Sequence, residues 1–369
     1  MKNRQRCGRG ALAPAGPRGY RRPVPQPLSL DDFDFDLPAE RIAQRPAEPR
    51  DAARLLQVGA ERLTDLRIPD LVGLLRAGDR MVVNDTRVIP ARLHARRGEA
   101  RIEIMLNRAE GEGRWHALIR NARRLHAGDT LVIEGGPALD CTVVERQEGG
   151  AALLRFGPGL EAALEHAGEV PLPPYITREH GPTARDRADY QAIFAARPGA
   201  VAAPTASLHF TPALLVALEA RGVTRSTVTL HVGAGTFLPI RDADARAHRM
   251  HAEWGEVTEH AAAEINATRQ AGGRVIAIGT TALRLLESAA TPTGIAPFRG
   301  LTDIYILPGH RFASADLLLT NFHLPRSTLL LLVSAFAGSE RIRAAYAHAI
   351  AGGYRFYSYG DACLLERAP

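Results

Sequence analysis

The sequence predicts an α/β fold interrupted by a small all-β domain, and three observations carry that prediction. Leu317–Gly338, LLLTNFHLPRSTLLLLVSAFAG, joins an apolar run of strand length to a second run that is apolar on every side. A buried strand feeding a buried helix is the core step of an α/β sheet. Strand–loop–helix units of this kind recur after Gly159. Between Arg80 and Phe156 the texture differs. MVVNDTRVI, ARLHARR, ARIEIMLN, RWHALIR, TLVIEG, LDCTVVE and ALLRF are short β-type runs, several alternating with period two, split by Gly, Asn or Asp. About six or seven strands with no convincing helix read as a small barrel or sandwich. The chain therefore divides into a basic tail (1–29), a first α/β part (30–75), an inserted β-domain (76–158) and a second α/β part (159–369).

Each element has a local signal. Asp31–Pro38, DDFDFDLP, alternates acid and aromatic residues and is expected as a short edge strand. Pro38 opens a short helix, AERIAQ, which Arg45-Pro46 ends. RLLQV within Arg50–Val58 is a strand, and Ile68–Leu75 is a helix closed by Gly78-Asp79. Beyond the β-runs, Leu160–Ala167 is helical, VPLPPYI is a Pro-rich connector and Asp186–Ala196 is helical. Thr211 caps a helix with Pro212 at its first position and Gly222 at its end. Thr227–Val232, Arg274–Ile278, Thr302–Leu307 and Leu317–Thr320 are expected strands; Glu259–Ala271, Thr280–Ser288 and Glu340–Ile350 are expected helices. Ser327 or Thr328 caps the apolar helix TLLLLVSAFA, which falls far short of the roughly 20 residues that cross a bilayer. Tyr354–Tyr359 and Ala362–Leu365 complete the sheet.

Composition narrows the chemistry. The chain has 369 residues, 46% of them hydrophobic, enough for two domains with sizeable cores. The formal charge is +6, yet the first 30 residues hold seven Lys/Arg and no acid, so the body is close to neutral. The tail, rich in Arg, Pro and Gly without periodicity, is expected to be disordered. It lacks the apolar core of a secretory signal and reads as an extension without function rather than a basic nucleic-acid arm. Cys7, Cys141 and Cys363 share no disulfide or metal spacing, which suits a reducing cytoplasm. Lys2 is the sole lysine. A Schiff-base lysine or a Walker-A lysine in the folded body is excluded, and cationic work falls to Arg.

Four polar loops follow apolar runs: PTASLHF (Pro204–Phe210), HVGAGTF (His231–Phe237), GTT (Gly279–Thr281) and TNFHLPRST (Thr320–Thr328). If their strands are parallel neighbours, the loops crowd one sheet edge, where such sheets bind ligands. HVGAGTF lacks the third glycine of a dinucleotide fingerprint, but Gly233 and Gly235 let backbone N–H groups approach a ligand. Gly279-Thr280-Thr281 at a helix start offers backbone donors and two hydroxyls, suited to a carboxylate or ribose. His209, His231, His251 and His323 stand at loops, and imidazole transfers protons near neutrality. HRMHAEW sets His251 beside Glu253 as a base or base–acid pair. No histidines have the spacing of a zinc site, so no metal is expected. Asn84, Arg87 and Arg92 in NDTRVIPARL suit phosphate contacts. YRFYSYGDA groups aromatics with Arg355 and Asp361, and aromatics beside Arg can stack bases.

NDTRVIPARL, PLPPYI, PGAVAAPTASLHFT, VTLHVGAGTF, RVIAIGTTALRLLES, LLTNFHLPRSTLLLLVSAFAG and YRFYSYGDA, in this order, closely resemble the S-adenosylmethionine:tRNA ribosyltransferase-isomerase family of queuosine biosynthesis. The resemblance runs from about Leu30 to Leu365. It implies an α/β domain with a mixed sheet and an inserted small β-barrel domain. It implies that S-adenosylmethionine is consumed as a ribosyl donor, without metal or cofactor. The acceptor is 7-aminomethyl-7-deazaguanine at the tRNA wobble position; adenine and methionine leave, and epoxyqueuosine remains. The acceptor ammonium must lose a proton, and a proton beside the sulfonium is also removed. His231 and His323 are the expected bases, followed by His209, His251 with Glu253, and Asp361. Gly233, Gly235, Thr236, Thr280, Thr281 and Asn321 are expected to hold S-adenosylmethionine, and Asn84, Arg87, Arg92, Arg326 and Arg355 to contact tRNA. The expected protein is a cytoplasmic monomer that meets no membrane. Two positions depart from the family pattern. Ser207 replaces a glycine, which would strain the loop if φ is positive there, and Arg246-Ala247 replace acids before His248. The alternative reading is a non-catalytic RNA-binding protein on the same scaffold.

Overall fold

The computed structural model describes residues 28–120, 125–237 and 244–369. The basic tail read from the sequence lies outside the described residues up to position 27. The chain then makes three short 3-10 turns, Leu30–Phe33, Ala39–Arg41 and Arg50–Ala52. The first two replace the edge strand and helix expected there. In LDDF (Leu30–Phe33) the buried residues are Leu30 and Phe33, three apart, while Asp31 and Asp32 face out; Ser29 Oγ accepts the Asp31 N–H and caps the turn. The period is that of a turn, not of a strand.

Strands β1 (Arg54–Val58) and β2 (Leu63–Arg67), helix α1 (Leu71–Leu74), and strands β3 (Arg80–Asn84) and β4 (Thr86–Val88) follow. Six strands come next: β5 (Arg92–Arg97), β6 (Ala100–Gly111), β7 (Arg114–Arg120), β8 (Thr130–Ile133), β9 (Asp140–Arg146) and β10 (Ala151–Phe156). After them stand α2 (Leu160–Ala167), α3 (Ala184–Asp189), β11 (Arg197–Ala200), α4 (Pro212–Ala220), β12 (Thr224–Leu230), β13 (Glu253–Val257), α5 (Glu259–Gln270) and β14 (Val275–Ile278). The chain ends through α6 (Thr280–Ser288), β15 (Ala290–Thr291), β16 (Gly294–Ile295), β17 (Phe298–Thr302), β18 (Leu317–Asn321), α7 (Thr328–Ala337), α8 (Ser339–Ala351) and β19 (Ala362–Glu366).

Nine strands form one mixed sheet in the order β17-β13-β12-β3-β14-β18-β19-β1-β2. Its centre is parallel: β12 pairs with β3, β3 with β14 and β14 with β18. Of these, β3, β14 and β18 are buried on both faces, which is why they read as near-continuous apolar runs, whereas β12 (TRSTVTL) is buried mainly in its second half. Val82, Ala277 and Leu318 point into one core; Met81, Val83, Ile276, Ile278, Leu317 and Leu319 point into the other. The strand β3, grouped by its sequence with the inserted β-region, is a central strand of this sheet. The closed barrel is β10-β7-β6-β5-β8-β9, all antiparallel, and begins at Arg92. Leu93, Ile104, Leu131, Val143 and Leu154 fill it, and Ala163 and Leu164 of α2 pack against the same core.

Three further expectations change. Tyr354–Tyr359 is not a strand but a turn that carries Tyr357 at φ 69°. The strand expected at Thr302–Leu307 lies one segment earlier, as β17. The helix expected over Asp186–Ala196 is the shorter α3, opened by a Thr183–Asp186 capping box.

Candidate active site

A cavity of about 360 Å³ opens at the carboxyl end of the parallel strands. Val232 and Gly235 reach it after β12, Gly279-Thr280-Thr281 after β14, and Thr320 to Thr328 at the end of β18. Pro204, Thr205 and Ala206 close one side. The expected convergence of the four loops is thus present. β18 ends in Thr320 and Asn321, and Ser327 Oγ accepts the Leu330 N–H to start α7, so the loop between them is pinned at both ends.

The glycine loop is shaped by close approach. A Cβ on Gly235 would lie 2.5 Å from His251 Cδ2, and one on Gly233 would lie 2.6 Å from Asn107 Oδ1. Asn107, on barrel strand β6, accepts the Ala234 N–H at 2.7 Å. Glu253 Oε1 accepts the Gly233 N–H at 2.9 Å. Its other oxygen accepts from Arg284 Nη1 at 2.6 Å, and both side chains are 5% exposed. Arg284 lies one turn beyond Thr280 on α6 and lines the cavity with Thr280 and Thr281. Glu253 is therefore bound to a guanidinium and a backbone amide, not set beside His251 as a free acid.

The four histidines separate into two pairs. His323 and His251 line the cavity. His323 is buried, its Nε2 shares a 3.0 Å hydrogen bond with Thr320 Oγ1, and its backbone N–H donates to Tyr346 Oη at 2.8 Å. Burial pushes its pKa down to about 3, so the ring is neutral at physiological pH. His251 is exposed at the mouth. His209 and His231 stand behind the wall. His209 is buried, and Asn321 Nδ2 donates to its Nε2 at 3.2 Å; burial, then Arg355 and Arg50, push it down to about 3. His231 Nδ1 shares a 2.8 Å hydrogen bond with Thr86 Oγ1, and its ring stacks on Trp254 at 5.2 Å. Burial and the Arg197 charge push it down to about 4.

Other expected residues occupy structural positions. Asp361 is buried and accepts the backbone N–H groups of Arg54 (3.0 Å) and Arg355 (2.8 Å), away from the cavity wall. Asn84 is fully buried: its amide accepts from the Thr86 and Leu230 N–H groups and donates to Leu230 O and Thr281 Oγ1. It shapes the site from beneath and presents nothing to a tRNA. Arg355 pairs with Asp361 at 3.6 Å, and Arg92 with Glu103 at 3.8 Å on the barrel. Arg87 is exposed on β4. Arg326 lines the cavity, with its guanidinium held by Asp31 and Asp34. Thr236 sits on the turn after the glycines, and its side chain lies outside the described residues. Ser207 does not take a positive φ, so no left-handed strain arises there; its buried Oγ has no hydrogen-bond partner.

Sequence reasoning did not single out Arg284, Asn107 or Tyr175, and it took Tyr357 only as one of the aromatics grouped in YRFYSYGDA. Arg284 had a usable signal, since it repeats the Thr280 face of a helix that follows a candidate ligand loop. Asn107 had none, because its contact crosses from the barrel. Among the described residues, no three His, Cys, Asp or Glu side chains group where a metal ion could sit, and no helix is long and apolar enough to cross a membrane.

Known proteins agree with this arrangement. The family model described as "Queuosine biosynthesis protein" matches residues 30–365. A protein of Gluconacetobacter diazotrophicus called S-adenosylmethionine:tRNA ribosyltransferase-isomerase is 61% identical over 92% of this chain and 96% of its own length. A protein of the same name from Acidiphilium cryptum is 57% identical over 92% of this chain and 100% of its own. The crystal structure of S-adenosylmethionine tRNA ribosyltransferase from Thermotoga maritima is 36% identical, covers 90% of this chain and 99% of that one, and superposes with a TM-score of 0.52. With the family model spanning both the barrel and the cavity loops, this chain belongs to the queuosine biosynthesis protein family.

Proposed function

We infer that this chain transfers and isomerises the ribosyl group of S-adenosylmethionine onto 7-aminomethyl-7-deazaguanine at the wobble position of a tRNA, releasing adenine and methionine. The observation that carries this is the convergence of the GTT, TNFHLPRST and VGAG segments on one cavity in a chain of this family. Its volume, about 360 Å³, falls in the usual range for a small-molecule site.

Of the three histidines that line the cavity, His248, His251 and His323, the last two divide the proton work. His251 at the mouth takes the proton of the acceptor ammonium, which arrives from outside on the tRNA. His323, kept neutral by burial, has the lone pair needed to accept the proton beside the sulfonium. Both act as bases, so no metal or cofactor is required. Thr280 and Thr281 at the start of α6 take the methionine carboxylate or the ribose hydroxyls, with the backbone donors of that helix end. Glu253 and Arg284 position the glycine loop. His209 and His231 hold the wall. The enzyme works in the cytoplasm as a monomer that meets no membrane.

The test is incubation of the purified chain with S-adenosylmethionine and a tRNA bearing the aminomethyl-deazaguanine base. Stoichiometric release of adenine and methionine with conversion of the tRNA is expected. Retention of the tRNA without adenine release would favour a binding protein on this scaffold.

A further inference from the structure

Three described residues other than glycine hold a left-handed backbone: Glu112 (φ 52°), Arg326 (φ 54°) and Tyr357 (φ 69°). Glu112 turns the hairpin between β6 and β7. Arg326 and Tyr357 both stand in the cavity wall. An aromatic residue in that conformation is strained, and strain of this kind persists where the surroundings enforce it. The Tyr357 N–H donates to Phe322 O at 3.0 Å, and the Gly360 N–H donates to Tyr357 O at 3.0 Å, so the turn is held from both sides. Its ring then lies 4.7 Å from that of Tyr175, with the planes at 53°. Tyr175 comes from the Pro-rich connector, and its hydroxyl shares a 2.8 Å hydrogen bond with Ser358 Oγ. Tyr175, Tyr357 and Ser358 all line the cavity that also holds Thr281, Asn321 and His323.

We propose that Tyr357, braced by Tyr175, is the face against which a fused heteroaromatic base lies during the reaction. This rests on the cavity being where donor and acceptor meet. Both bring such a base: adenine on S-adenosylmethionine, and 7-deazaguanine on the tRNA. A ring wall facing hydroxyl and amide groups matches a flat bicycle, whose faces gain dispersion and quadrupole contact while its edges hydrogen-bond. Tyr357 is a binding residue here, and the chemistry belongs to the groups around it.

The experiment measures KM for S-adenosylmethionine and for precursor tRNA by adenine release, in the full-length chain and in Tyr357→Phe and Tyr357→Asn. Asparagine tolerates the left-handed backbone, so this change removes the ring and keeps the turn. Tyr357→Phe leaves both KM values within about twofold, and Tyr357→Asn raises one of them about tenfold or more, the size of a lost base–aromatic stack. A rise for S-adenosylmethionine assigns adenine to the ring; a rise for tRNA assigns the deazaguanine. Unchanged KM values in a folded Tyr357→Asn protein overturn the proposal. If that variant does not fold, Tyr175→Leu, which removes the bracing ring, must raise a KM value, and no change overturns the proposal equally. Thr281→Val in the same assay separates the two levels. Impaired turnover there with normal Tyr357→Asn kinetics defeats the stacking role alone; normal kinetics in both defeat the cavity as the reaction site and the stacking role with it.

Discussion

The barrel and the cavity edge are both ends of β-structure, yet they treat polar side chains in opposite ways. Inside the barrel the fully buried side chains are aliphatic: Leu93, Ile104, Leu131, Val143 and Leu154. Its charges sit outside in ion pairs such as Arg97–Asp129 (2.8 Å) and Arg120–Glu103 (3.7 Å). The cavity edge buries Asn84, Glu253, Thr280, Arg284, Thr320, Asn321 and His323. A closed antiparallel barrel satisfies its own backbone and needs only to fill its interior. Parallel strands end in unpaired donors and acceptors beside helix starts, and there polar side chains can be buried with partners. Burying such groups is costly unless each is bonded, so a cluster of them marks the place where chemistry compensates for stability.

The largest break of this contrast is His323→Ala. If the buried polar cluster does the chemistry, the rate of adenine release falls about 10²–10⁴-fold while the circular dichroism spectrum stays native. A near-normal rate would reduce His323 to a packing residue. Next comes Arg284→Ala, which leaves the Glu253 carboxylate buried beside the Gly233 N–H without its cation. Breaking a buried pair from one side costs about 3–5 kcal/mol, read as a lower urea midpoint. The paired change Glu253→Gln with Arg284→Met should cost clearly less than the two single changes added together. Additive costs would mean that the two groups do not interact.

A smaller effect separates the regions by pH. His209 and His323 are held neutral in the folded chain down to about 3, whereas an unfolded histidine takes up a proton near 6.5. Between those values the unfolded chain binds more protons, so acid favours unfolding. Stability is complete above 6.5 and declines as pH falls, by about 2 kcal/mol per buried histidine at pH 5. Asp79 and Asp186 have carboxyls held below the ordinary range, and their stabilisation is lost only at lower pH. His209→Gln should therefore remove one proton from the slope of unfolding free energy between pH 6 and about 4.5. An unchanged slope would show that His209 is not the buried neutral group described.

How far the two regions could be read from sequence follows from the range of the forces that shape them. Helices α2, α6 and α7 have the bounds expected, because an apolar run with a Ser, Thr or Gly at its start is a local signal. That Thr280, Thr281, Asn321 and His323 come together was legible because each stands at or just after the end of an apolar strand, and all four line the cavity. β3 was misgrouped because MVVN looks like any barrel run; pairing with β12 and β14, far along the chain, decides its place. His231 and Val232 stand just past the end of β12, where Val232 lines the cavity while His231 stacks on Trp254 and bonds Thr86, contacts that come from distant segments. Asp361 looked like a catalytic acid, but its partners are two backbone amides in separate segments. Tyr354–Tyr359 has strand composition, yet Tyr357 turns the chain because Phe322 binds its N–H.

The smallest expected effect is the one that bounds the contrast from the barrel side. Arg97 is 40% exposed and its partner Asp129 is 16% exposed, so water and salt screen the pair although its distance is 2.8 Å. Arg97→Ala should therefore lower stability by less than about 1 kcal/mol, and most of that loss should disappear in high salt, where the wild-type pair is already screened. The rate of adenine release at saturating substrates should not change, because among the described residues no barrel charge lines the cavity. A cost near that of Arg284→Ala would mean that the barrel wall is as tightly coupled as the cavity edge. Asn107, which already joins barrel strand β6 to the glycine loop, would then be one of several links through which the barrel holds the site in shape.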